Sequence, residues 1–138
     1  MRGILLIAAL AVAVGGAGAT AASSAAAASA STELRIAYWE NGSKAGAART
    51  WTLRCDPAGG TLGTLARERD ACRRLAALRR PFAPPDPELA CTQQYGGPDQ
   101  ARITGTYQGR RVWVRLALTD GCQIARFKRL AFLVPGYS

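Results

Sequence analysis

Four cysteines, Cys55, Cys72, Cys91 and Cys122, constrain this chain more than any other feature, because of what stands ahead of them. Arg2 is followed by an apolar run over residues 3–14 and then by small residues only, which is the form of an export signal. An apolar core of about a dozen residues is too short to span a bilayer as a helix, where roughly 20 are needed, and no later stretch is uncharged for long enough. The expectation is an exported, soluble, extracellular protein, and an even cysteine count in such a chain means disulfides. Three pairings are open on the residues alone. Sequential pairing would close two short loops, each worth about 3 to 4 kcal/mol in the chain-entropy account.

The signal is expected to end at Ala17-Gly18-Ala19, giving a signal peptide over residues 1–19. Residues 20–31, nearly all Ala and Ser, have no large apolar side chain to offset the entropy of ordering them and read as a disordered leader. The folded domain then covers residues 32–138, a size at which cross-links still matter. Net charge is +9, almost all of it from arginine, which invites a nucleic-acid or anionic-surface reading. The pairs Arg73-Arg74, Arg79-Arg80 and Arg110-Arg111 fall on different expected elements, however. The expectation is a solvated basic surface, with no nucleic-acid and no membrane partner.

Alternation sets the first elements. Over residues 33–40, Leu34, Ile36 and Tyr38 alternate with Arg35, Ala37 and Trp39, and Asn41-Gly42-Ser43 ends the run as a turn; its match to a glycosylation sequon is incidental. Residues 49–55 repeat the pattern with Trp51, Leu53 and Cys55 on one face, and Asp56-Pro57-Ala58-Gly59-Gly60 closes a second, antiparallel strand. The period then changes: Leu65, Cys72, Leu75, Ala76 and Leu78 recur at helical spacing, with Arg67, Arg69, Arg73, Arg74 and Arg80 opposite. Pro81 stops that helix, and Pro81-Phe82-Ala83-Pro84-Pro85-Asp86-Pro87 reads as an irregular loop. Residues 101–107 and 111–119, joined through Gln108-Gly109-Arg110, read as a hairpin. A short helix is expected over residues 122–129 with Ile124 and Phe127 inward, then a final strand over residues 130–134. Five strands and two helices make an α+β domain.

Catalysis is argued against by what the chain lacks. It contains no histidine, so no Ser/His/Asp or Cys/His pair and no histidine-based zinc site can form. Four oxidised cysteines leave no thiolate nucleophile or metal ligand. No two of the nine acids stand on segments that periodicity marks as walls of a cleft, as a glycosidase pair would require. The chain is expected to be no enzyme and to carry neither cofactor nor metal.

The segment Cys91-Thr92-Gln93-Gln94-Tyr95-Gly96-Gly97-Pro98 stands out, because a proline-rich approach, a cysteine and a glycine pair bracket four residues of exposed type. With it, four features make the chain resemble the Streptomyces subtilisin inhibitor family. They are Thr52-Leu53-Arg54-Cys55, the Cys-Thr-x-x-Tyr-Gly-Gly-Pro segment at Cys91, Thr104-Gly105-Thr106-Tyr107-Gln108-Gly109-Arg110, and Gly121-Cys122-Gln123-Ile124-Ala125-Arg126. Cysteine order and spacing agree too.

This resemblance implies a homodimeric inhibitor of secreted serine proteases, with a five-stranded antiparallel sheet carrying two helices on one face. It also implies disulfides Cys55 to Cys72 and Cys91 to Cys122. It puts the reactive bond between Gln93 (P1) and Gln94 (P1′), with Ala90, Cys91, Thr92 and Tyr95 as further protease-contacting residues. Family members commonly carry Met, Lys or Arg at the P1 position, so Gln93 is a departure that bears on the target, subtilisin-like or trypsin-like. The rival expectation is a secreted, non-inhibitory binding protein that keeps the inhibitor fold.

Overall fold

A central strand must find apolar neighbours on both sides, and the first strand of this protein does. The computed structural model describes residues 30–137. The signal expected over residues 1–19, and all but the last two residues of the leader expected over 20–31, lie outside the described residues. β1 (Thr32–Trp39) pairs antiparallel with β2 (Arg49–Cys55) on one edge, so that Leu34 stands opposite Leu53 and Ile36 opposite Trp51. On its other edge it pairs antiparallel with β4 (Gln100–Tyr107), where Ile36 meets Ile103 and Tyr38 meets Ala101. β3 (Gly59–Gly60) pairs antiparallel with the outer edge of β2, and β5 (Arg110–Ala117) pairs antiparallel with β4. The result is a five-stranded antiparallel sheet in the order β3-β2-β1-β4-β5.

Because side chains alternate across a strand, one face collects Leu34, Ile36, Leu53, Ile103, Val114 and Leu116, all buried. α1 (Leu65–Ala77) covers that face over β2 and β3, contributing Ala71 and Leu75. α2 (Gly121–Leu130) covers it over β5, contributing Phe127 and Leu130, both fully buried. Full burial of such a side chain is worth roughly 1.5–3 kcal/mol. The two disulfides are Cys55–Cys72, joining the end of β2 to α1, and Cys91–Cys122, joining the loop before β4 to α2. Among the described residues, no helix is long and apolar enough to cross a membrane.

The hairpin is tighter than expected, turning on Gln108 and Gly109 alone, both at positive φ, so β5 begins at Arg110 and ends at Ala117 rather than at Thr119. Two expectations need correction. Residues 130–134 are not a strand: α2 runs to Leu130 and a 3-10 turn follows at Ala131–Leu133. Phe127, Leu130 and Leu133 recur every three residues, and all three reach the core, whereas a short apolar run has no alternation to separate strand from helix. The fifth strand is instead Gly59–Gly60, where two glycines offer no side-chain pattern to read. On α1, Leu65 and Ala76 face outward, while Glu68 is buried. Glu68 is satisfied there because its carboxylate accepts the Leu62 backbone N–H at 3.2 Å.

Candidate functional site

Pro81 and the ring of Phe82 begin the path to the exposed segment. Phe82 packs edge-on against Tyr107 at 5.3 Å between ring centroids, which seats the proline-rich stretch against β4. Arg126 of α2 donates to the Phe82 carbonyl at 3.2 Å and to the Arg115 carbonyl at 3.4 Å, tying loop, helix and β5 together. Its partial burial lowers the guanidinium pKa from the ordinary value. Beyond this anchor the chain leaves the body of the molecule: residues 86–90 are all exposed, with Leu89 at 60%.

The first turn of α2 grips the next residues. Asp120 is its N-cap, accepting the Gln123 N–H at 2.9 Å. The first N–H groups of a helix have no partner inside it. One of them, that of Gly121, donates to the Thr92 carbonyl at 3.0 Å. This approach is possible because residue 121 has no side chain: a Cβ there would lie 2.1 Å from the Thr92 hydroxyl oxygen. One residue earlier in the loop, Cys91 is bonded to Cys122, with Cα atoms 5.3 Å apart.

A second attachment follows four residues on. The Gly96 N–H donates to the Leu118 carbonyl at 2.7 Å, just past the end of β5, and a Cβ on Gly96 would press on Ile124 at 3.0 Å. The Tyr38 hydroxyl then donates to Asp99, where the chain joins β4. Burial, and after it the hydrogen bond with Asp99, pushes the Tyr38 pKa well above its ordinary value.

Between the attachments at Thr92 and Gly96 lie Gln93, Gln94 and Tyr95, all exposed, Tyr95 at 67%. Ala90 and Thr92 are exposed as well, and Cys91 is half-buried by its disulfide. The residues singled out in the sequence are thus contiguous on one projecting segment. Cys91, Cys122 and Asp120 also offer atoms within 4.8 Å of one another, but the two sulfurs are bonded to each other and the carboxylate caps α2. Sequence reasoning missed the clamp formed by Gly121 and Leu118, and the tie made by Arg126. An aspartate just before a helix is an N-cap signal, and Asp120 could have pointed to the clamp.

A comparison with protein families finds that one described as subtilisin inhibitor-like matches residues 28–119, from just before β1 through the exposed segment to the end of the hairpin. No curated protein matches the chain. Among solved structures, Streptomyces caespitosus sermetstatin, in a crystal structure of its complex with Bacillus licheniformis subtilisin, is 24% identical to it. That match covers 78% of this chain and 98% of the other, with a TM-score of 0.45. With the family matched over residues 28–119 of 138, the chain belongs to the subtilisin inhibitor-like family.

Proposed function

We propose that this protein is a secreted inhibitor of serine endopeptidases that binds as a substrate does, through the projecting segment at residues 90–95, with Gln93–Gln94 as the reactive bond. One observation carries the reading: backbone attachments at Thr92 and Gly96, with a disulfide at Cys91, leave three exposed residues free between them. A segment held this way can add to a protease cleft as an extra strand while losing little conformational freedom. If the bond is cut, Cys91 and Thr92 hold the acyl side and Gly96 holds the amine side. The new amine stays next to the acyl-enzyme and rejoins it, so hydrolysis stalls. No nucleophile of this chain takes part.

Gln93 sets the target. A broad apolar S1 pocket of the subtilisin kind accepts it at the cost of burying an amide without a partner, about 1–3 kcal/mol. A trypsin-like pocket, built around a carboxylate, would leave that carboxylate unpaired, so subtilisin-type enzymes are the preferred partners. The same reading carries an assembly of two copies, which sedimentation velocity checks.

Titrating subtilisin with the protein tests the function. An inhibitor gives saturable loss of activity and survives as intact chain or as a single nicked species at Gln93–Gln94. Full residual activity, or progressive digestion, would instead support the rival reading of a non-inhibitory binding protein on the same fold.

A further inference from the structure

Between the turn of the β4–β5 hairpin and the end of α1 lies an open groove of about 960 Å³. Ala76, Leu78, Pro81 and Phe82 line one side of it, and Tyr107 and Val112 the other. Pro81 and Val112 are buried, and Phe82 is locked edge-on against Tyr107, so the floor is apolar and held in place. The Tyr107 hydroxyl is already committed, donating to the Leu75 carbonyl at 3.2 Å and accepting from the Gln108 amide at 3.4 Å.

The rim is cationic. Arg80, from the chain just after α1, and Arg110 and Arg111, from the hairpin, line the same groove. All three are exposed, and none makes an ion pair among the described residues. Asp56 is the single acid among the lining residues. The carbonyl end of a helix by itself favours a cation. Here the Leu75 carbonyl already accepts from the Leu78 N–H and from Tyr107, so the guanidinium groups set the sign of the groove.

We infer that this groove binds a carboxylate with a long apolar chain, of the fatty-acid kind. The chain lies over Leu78, Phe82 and Val112, and the head meets Arg80 and Arg110 in charge-assisted hydrogen bonds. Three alternatives fit less well. A wholly polar anion leaves the apolar floor unused, and a neutral lipid leaves the arginines without a partner. An acidic peptide brings backbone amides that Leu78, Pro81, Phe82 and Val112 cannot satisfy. The groove adjoins the start of β5, whereas the Gln93 segment is attached past the end of that strand, at Leu118. It also opens on the helix side of the sheet, so a bound protease at Gln93, or a second copy on the bare face, leaves it accessible. The proposal is independent of the inhibitor reading.

Displacement of anilinonaphthalene sulfonate, an anionic aromatic dye, from the purified protein tests it, with decanoate, decanol and tetraglutamate as competitors. Decanoate, kept below its micelle concentration, should displace the dye at about tenfold lower concentration than decanol, and tetraglutamate should displace none. Ala76→Trp, at an exposed position of α1, fills the groove and should weaken decanoate by about tenfold or more. Arg80→Gln with Arg110→Gln should bring decanoate down to the level of decanol. Arg67→Gln with Arg69→Gln removes the same charge from exposed positions outside the groove and should change nothing. Circular dichroism verifies that each variant is folded. The proposal is overturned if decanoate displaces no dye, if tetraglutamate displaces it as well as decanoate does, or if Ala76→Trp leaves decanoate binding unchanged. An equal loss in the Arg67/Arg69 and Arg80/Arg110 variants also overturns it, since net charge rather than the groove would then recruit the anion.

Discussion

If the proposed reactive bond is right, the strength of inhibition turns on Gln93. In a subtilisin-type pocket its amide loses water without gaining a fixed partner, and an apolar side chain of similar length avoids that loss. Gln93→Met is therefore expected to lower the inhibition constant for subtilisin by about tenfold or more, from the roughly 1–3 kcal/mol at stake. An unchanged constant would count against Gln93 as P1. Tyr38 gives a prediction of a different kind. In the folded protein its hydroxyl is buried and donates to Asp99, so it keeps its proton to higher pH than in the unfolded chain. Above about pH 10, the ordinary tyrosine value, the unfolded chain ionises first, and stability falls as pH rises. Tyr38→Phe should reduce that fall, while Tyr107, also raised by burial, preserves part of it. Urea midpoints at neutral and strongly alkaline pH provide the measurement, and an equally steep decline in the variant would contradict the assignment.

At the level of elements, α2 serves two purposes: Phe127 and Leu130 fill the core while its first turn holds the loop. The Cys91–Cys122 bond lies beside the proposed reactive bond, so its removal should affect function more than fold. Cys91→Ser with Cys122→Ser is expected to cost about 2–5 kcal/mol of stability. It should also turn the protein from an inhibitor that persists into a substrate that subtilisin consumes, read by mass spectrometry over a time course. Persistence of the intact variant beside active enzyme would show that the backbone bonds at Thr92 and Gly96 suffice alone. The strands β1, β2, β4 and β5 were legible because half-buried antiparallel strands alternate. β3 and the 3-10 turn were not, since glycines carry no pattern and a five-residue apolar run fits either period.

For the whole molecule, a charge of +9 with few ion pairs among the described residues means self-repulsion in the compact state. Salt screens it, with a Debye length of about 10 Å at 0.1 M. The melting temperature should accordingly rise by a few degrees between low and moderate sodium chloride; a flat or falling trend would mean the arginines are better compensated than their pairing indicates. Disulfide bonding, the α+β class and the contiguous segment around Gln93 were set by local features: a cysteine count, periodicity and a motif. Tertiary structure alone decided which groups meet across long separations. Gly121 reaches Thr92, Leu118 reaches Gly96, Tyr38 reaches Asp99, and arginines from four strands share one face. Such meetings depend on strand register and helix placement, which are settled by how the core packs rather than by any stretch of neighbouring residues.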